Sequence, residues 1–209
     1  MSAKDCGNHG GHKKKLYRRL FAAFLIFIIL ILFTILIIWL ILRPTKPRFT
    51  LQDATVYNFN VSTGTFLLTS YFQVTVTTRN PNDRIGIYYD KLDIFASYHG
   101  QQITLANSIS KTYQGHNDIN VWSPFLSGTA VPLAPFLAVN LAQDQSTGNI
   151  LVNIRIDGRV RWKVGTWTSG RYHLFVNCPA YLTFGNKYTV GGGGVGIKYA
   201  LDQGCSVDV

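Results

Sequence analysis

Val152-Asn153-Ile154-Arg155-Ile156-Asp157-Gly158-Arg159-Val160-Arg161-Trp162-Lys163-Val164 decides the fold class. Val152, Ile154, Ile156, Gly158, Val160, Trp162 and Val164 take every second position, and polar residues fill the places between. A period of two puts successive side chains on opposite faces of an extended chain, one toward a core and one toward water. Asp157-Gly158 invites a two-residue type I′ turn. Such a hairpin would set Arg155 opposite Val160 and Ile154 opposite Arg161, mixing apolar and charged residues on each face. The stretch is therefore predicted as one continuous strand, bulged at Gly158.

The same alternation appears in Phe72, Val74 and Val76, set between Gln73, Thr75 and Thr77. It recurs in Leu92, Ile94, Ala96 and Tyr98, where Phe95 interrupts the polar set. Ile197 to Leu201 also reads as a strand. Asn80-Pro81-Asn82-Asp83, His99-Gly100, Ser127-Gly128 and Ser169-Gly170 are the turn signals. One helix is expected after the apolar N-terminal block, from Pro135 to Gln145, with a Pro start and a Gly148 stop. Many short strands at close spacing predict a mainly β chain folded as an antiparallel β-sandwich.

Upstream the periodicity disappears. Leu20 to Leu42 contains no charge, no Gly and no Pro, and its only polar side chain is Thr34. A hydrocarbon core of roughly 30 Å takes about 20 such residues at about 1.5 Å each. A core helix would show a polar face, and a signal peptide has a shorter apolar stretch and a small-residue cleavage site. A single transmembrane helix is the expectation. Lys4, Lys13, Lys14, Lys15, Arg18 and Arg19 precede it against Asp5; Arg43, Lys46 and Arg48 follow it. The positive-inside rule then puts the N-terminus in the cytosol and the C-terminal part outside it. Beside such a helix, Lys13 to Lys15 reads as a topology signal rather than a nucleic-acid patch, so no nucleic-acid partner is predicted. The expected divisions are a disordered basic tail 1–19, the helix 20–42, a stiff linker 43–48, the sandwich 49–185 and a Gly-rich segment 186–209.

An extracytosolic sandwich gives meaning to two further features. Asn60-Val61-Ser62 is a glycosylation sequon. Cys178 and Cys205 are either a disulfide or two free thiols, the oxidising compartment favouring the bridge. The bridge would close a loop of about 28 residues, a stabilisation of roughly 3–4 kcal/mol in the chain-entropy picture. Cys6 sits alone in the tail, far from the helix for palmitoylation, and Ser2 removes the myristoylation motif. The apolar helix has no Gly-x-x-x-Gly face, which predicts an anchor rather than a dimer seam.

The chain contains no Glu, which removes the Glu-based zinc protease motif, and it has no nucleophile elbow or Walker sequence. Gly191, Gly193 and Gly196 spell Gly-x-Gly-x-x-Gly without the strand–helix context that gives the pattern meaning. His99, His116 and His173 are widely spaced, and a site would need two of them to converge with Asp90 or Asp118. No enzyme activity, cofactor or metal is predicted. The candidate contact face is Arg155, Arg159, Arg161 and Lys163 on one side of one strand, a charge match for an anionic polymer or headgroups. The alternative is a solvated outer face that discourages edge pairing.

Arg43-Pro44 to Phe49, Asn80-Pro81-Asn82 with Ile85-Gly86-Ile87-Tyr88-Tyr89-Asp90, Tyr113-Gln114-Gly115, and Gly158 to Gly165 follow one another in an order that resembles a plant family. It is the harpin-induced-like, non-race-specific-disease-resistance-like group, whose members carry a late-embryogenesis-abundant type 2 domain. Cys178 and Cys205 fit the same pattern. The resemblance implies a fibronectin-type-III-like sandwich and a plasma-membrane or plasmodesmal location. It also implies a role in defence and the hypersensitive response, with osmotic stress as a further setting. It offers no catalytic residues. Asn80, Pro81 and Asn82 look like its signature, with a turn-forming role. Two functions follow: an anchored interaction protein binding a wall or membrane partner, or a module holding a lipid between its sheets.

Overall fold

The computed structural model describes residues 9–41, 44–62, 64–183 and 197–209. The chain divides into two compact units, Met1–Arg43 and Pro44–Val209. The first is helix α1, His9–Ile41. Within it, Tyr17–Ile37 is long and apolar enough to cross a membrane. Its apolar side chains from Leu20 to Ile37 are exposed except the half-buried Ile28, and Thr34 Oγ donates to Ile31 O at 2.8 Å, so the polar side chain of that stretch is paired within the helix. The helix begins before the apolar block and includes His9–Arg19, where disorder was expected. Leu, Lys and Arg are good helix formers, and extending an existing helix adds a hydrogen bond per residue without a new nucleus. Cys6 and the start of the tail lie outside the described residues.

The second unit is antiparallel throughout. In chain order its elements are β1 Arg48–Ser62, β2 Leu67–Arg79, β3 Gly86–Tyr98, β4 Gln101–Gln102, β5 Asn107–Ile109, β6 Thr112–Gln114, β7 Ile119–Trp122, β8 Phe125–Pro132, α2 Pro135–Thr147, β9 Asn149–Val164, β10 Trp167–Thr168, β11 Tyr172–Thr183, β12 Ile197–Gly204 and β13 Ser206–Asp208. The first sheet runs β12-β1-β2-β7, with β8 also on β2. The second runs β13-β11-β9-β3-β4, with β5 and β6 on β3 and β10 on β9. Their inner faces share one core. Leu51, Phe59, Leu68, Phe72, Val74 and Val76 come from the first sheet, and Ile87, Tyr89, Leu92, Ile94, Ile156 and Val160 from the second. Phe49 and Tyr89 meet edge-on across the gap, ring centroids 6.4 Å apart.

β9 is continuous through Gly158, and the hairpin reading does not occur. The bulge, however, lies on the neighbouring strand. Tyr89 pairs with Val160 and Lys91 with Arg159, which leaves Asp90 as the extra residue. Ile87 and Tyr89 are buried at odd positions; Leu92, Ile94 and Ala96 are buried at even ones. One inserted residue is what lets both sets face the core. Gly158 answers that bulge: a Cβ there would collide with the Lys91 carbonyl and the Leu92 side chain.

Ser127-Gly128 is not a turn but lies inside β8. The glycine is needed for closeness, since a Cβ on Gly128 would strike Ile103 O. Helix α2 starts at Pro135 and ends on Gly148 at φ +84°. Gln145 Nε2 donates to Phe59 O at 3.3 Å and Tyr98 OH to an Asp144 carboxylate oxygen at 2.7 Å, so α2 caps the end of the sandwich away from Pro44. The C-terminal boundary also moves. Residues 186–196 lie outside the described set, while Ile197–Asp208 supplies an edge strand to each sheet. Cys205, between those two strands, is bonded to Cys178 of β11, with Cα atoms 4.3 Å apart.

Candidate functional site

Asn80 and Asn82 are almost wholly buried, which two turn-forming amides would not require. Asn80 Nδ2 donates to Ile85 O at 2.7 Å and Gly115 O at 2.8 Å. Its Oδ1 accepts from the backbone N–H and Nδ2 of Asn82, at 3.1 and 2.8 Å. Asn82 Oδ1 accepts from Thr45 N–H at 2.8 Å and Thr45 Oγ at 2.6 Å, while Asn82 Nδ2 donates to Thr45 O at 2.8 Å. Gln114, fully buried, donates to Thr78 O and Asp118 O and accepts from Tyr89 OH. Asn80 to Asn82 therefore does more than turn the chain. It ties the segment entering the sandwich to two loops at that end.

The four cations of β9 share the outer face of the second sheet but not one role. The bulge turns Asp90 outward, where Arg161 grips it with two hydrogen bonds, at 2.6 and 2.8 Å. The guanidinium's hydrogen bonds, aided by the charges of Arg161, Arg171 and Lys111, hold the Asp90 carboxyl below the ordinary carboxylate range despite partial burial. Lys163 Nζ lies 5.6 Å from the Tyr88 ring centroid and 5.2 Å from that of Tyr113. Those two rings pack 4.6 Å apart, and Gly86 gives Tyr113 its room, because a Cβ there would overlap the phenol. Arg161 and Lys163 are thus engaged within the fold.

Arg155 and Arg159 make no ion pair among the described residues. Arg159 stands between Lys91 and His173, and Arg155 between Phe95 and Asn177. Around Arg155 lies an open groove of about 340 Å³, with Phe95, Phe175, Asn177, Asp157 and Asp208 in its walls. Sequence reasoning missed the two phenylalanines. Phe95 had left its signal as the apolar residue interrupting the polar set of β3. Phe175 had none, because its pairing with Asp157 depends on long-range register.

Asn60 is exposed near the end of β1, opposite Thr69 of β2. The histidines do not converge. His99 is in the turn after β3 against Tyr98, His116 is in the loop before Asp118, and His173 stacks on Phe175. Asp118 bonds the backbone N–H groups of Gly115 and Ile119, and Asp90 bonds Arg161. No group of three or more His, Cys or Asp placed to hold a metal occurs among the described residues. What the outer face of the second sheet presents among the described residues is unpaired arginine beside aromatic surface.

Residues 75–178 match the late embryogenesis abundant protein family LEA_2. The chain is 56% identical to NDR1/HIN1-like protein 1 of Arabidopsis thaliana over 208 residues, covering 99% of this chain and 100% of that one. It is 53% identical to NDR1/HIN1-like protein 12 of the same plant over 211 residues, covering 100% of both. A late embryogenesis abundant protein solved in solution is similar with a TM-score of 0.36 at 14% identity, covering 70% of this chain and 75% of that one. With full-length relatives at more than half identity, the chain belongs to the NDR1/HIN1-like family of LEA_2 proteins, a plant family related to defence.

Proposed function

We propose that this chain is a membrane-anchored, non-enzymatic interaction protein in plant defence and hypersensitive-response signalling. Helix α1 crosses the plasma membrane, or its plasmodesmal continuation, once. The basic tail faces the cytosol, and the sandwich stands outside with Asn60 glycosylated. The observation that carries the contact role is Arg155 with Arg159: two exposed arginines without an ion-pair partner among the described residues, Arg155 lying opposite Phe95 in an open groove that Phe175 also lines. Arginine beside aromatic rings is the composition that dominates binding energy in protein contacts. An anionic wall polymer or an acidic protein patch fits it. Arg161 and Lys163 support this face rather than form the contact.

Filling of the inter-sheet space favours this reading over a lipid carrier. Tyr89, Tyr98, Phe49, Phe59 and Phe72 are all buried to 2% exposure or less between the sheets. A lipid chain needs roughly several hundred Å³ of apolar room.

The test is a titration of the full chain in nanodiscs with polygalacturonate fragments and, separately, a capture of plasma-membrane proteins on the same particles. Replacing Arg155 and Arg159 together by Ala should weaken saturable binding at least about tenfold, and raised salt should do the same. Binding that the double variant and salt both leave unchanged would assign the contact to another face.

A further inference from the structure

The outer face of the first sheet carries an aromatic cluster that the contact role does not use. Tyr57, Tyr71 and Phe125 are 41%, 38% and 46% exposed. Their ring centroids form a compact triangle: 5.4 Å from Tyr57 to Tyr71, 5.6 Å from Tyr71 to Phe125 and 6.3 Å from Tyr57 to Phe125. Tyr71 and Phe125 are parallel to within 4°. Tyr57 faces out in ordinary alternation after the buried Val56, and the bulge of β1 there turns Asn58 outward beside it. Val56 pairs with Phe72 and Asn58 with Tyr71, which leaves Tyr57 as the extra residue between them. The bulge leaves two consecutive residues, Tyr57 and Asn58, on the outer face beside Tyr71. Residues 55–62, 67–75 and 125–132, the strands beneath it, contain no charged side chain. The patch suits a neutral partner, and its area matches one or two sugar rings rather than a protein interface.

The chain supplies such a partner. Asn60 lies on the same face, two residues beyond Asn58, and Asn58 is the direct cross-strand neighbour of Tyr71. Diagonal neighbours in an antiparallel pair sit roughly 7–8 Å apart, close enough for a sugar carried on the Asn60 amide to lie against the Tyr71 ring. We infer that the Tyr57–Tyr71–Phe125 cluster is the seat of the chain's own Asn60 glycan, whose first N-acetylglucosamine lays its apolar C–H face on the Tyr71 ring. The covalent step is the ordinary one: Asn60 Nδ2 bonds to the anomeric carbon as that carbon's bond to the donor's diphosphate oxygen breaks, the amide gives up a proton, and the lipid diphosphate leaves. Seated in this way, the sugar shields an aromatic patch that would otherwise promote association. Tyr57 OH donates to Gln73 Oε1 at 3.0 Å, which fixes that ring in advance. The inference rests on the extracytosolic placement of the sandwich proposed above.

The experiment uses the full chain from a secretory host with high-mannose glycans. Glycosylated protein is compared with protein trimmed by an endoglycosidase to the first sugar, and with Asn60→Gln, which avoids the new charge that an amidase would leave. Trimmed and intact forms should share one Tm, and Asn60→Gln should melt about 2–4 °C lower, the shift of one modest contact in a chain of this size. In the Tyr71→Thr or Phe125→Thr background that difference should vanish. The acetyl methyl of the first sugar should also show an upfield ring-current shift that Tyr71→Thr abolishes. An Asn60 glycan whose removal shifts Tm equally with and without Tyr71 overturns the seat while leaving the placement intact. An unmodified Asn60 overturns it too, and protease digestion of sealed cells then tells whether the placement falls with it.

Discussion

Asn82 makes four side-chain hydrogen bonds in a nearly dry setting, three of them to Thr45. Asn82→Ala leaves the Thr45 and Asn80 groups without partners, and buried groups left unpaired cost more than the bonds themselves. A loss of roughly 2–3 kcal/mol in urea unfolding is expected, with faster hydrogen exchange at the Thr45 amide. Sequence alone marks Asn80-Pro81-Asn82 as a turn, because local chemistry suffices for one. The longer role was not legible, since Thr45 is 37 residues away and nothing local announces the pairing. Asp90 is a related case. As a carboxyl held below its ordinary value by Arg161, it contributes stability fully above about pH 4, the unfolded range, and loses it as pH falls through the folded value. Asp90→Asn should therefore be less stable than the natural chain at neutral pH. The gap should close as acid protonates Asp90, followed by pH-dependent denaturation.

At the level of elements, the period-two pattern located the middles of β2, β3 and β9 because each buries one face only. It misplaced the bulge, since Gly158 meets the bulged strand only across the sheet, opposite Leu92 and two residues past the extra Asp90. The phase change between Tyr89 and Leu92 was the visible trace of it. Gly158→Ala would drive a methyl group into the Lys91 carbonyl, and overpacking of that kind costs roughly 1–3 kcal/mol. Thermal unfolding of the variant should show the loss, while Gly170→Ala, with open space around it, should not. Ile197 to Leu201 reads as a strand in the sequence, but the place of the last two strands at the sheet edges does not, because the Gly run separates them from the rest of the sandwich. Their attachment to the sandwich is through β1, β11 and the bond from Cys205 to Cys178, 27 residues apart. Replacing both cysteines by Ala should cost about 3–4 kcal/mol on the chain-entropy scale. Exchange protection should fall first in Ile197–Asp208, and a reducing agent should reproduce the change in the natural chain and leave the variant untouched.

At the scale of the whole molecule, the apolar helix and the family were legible because each is written in contiguous residues. The proposed contact face was legible only in part: four cations on one side of β9 announce a basic strand, but which of them are spoken for depends on Asp90, Tyr88 and Tyr113 on other strands. An anchored sandwich acting outside the cytosol requires that α1 be crossed once and that everything after Pro44 be reachable from outside. Protease applied to sealed protoplasts tests this directly. Digestion of the sandwich, leaving a short protected fragment with the N-terminal tail and α1, is the predicted result; a full-length chain that is cut only after the membrane is opened would contradict the account.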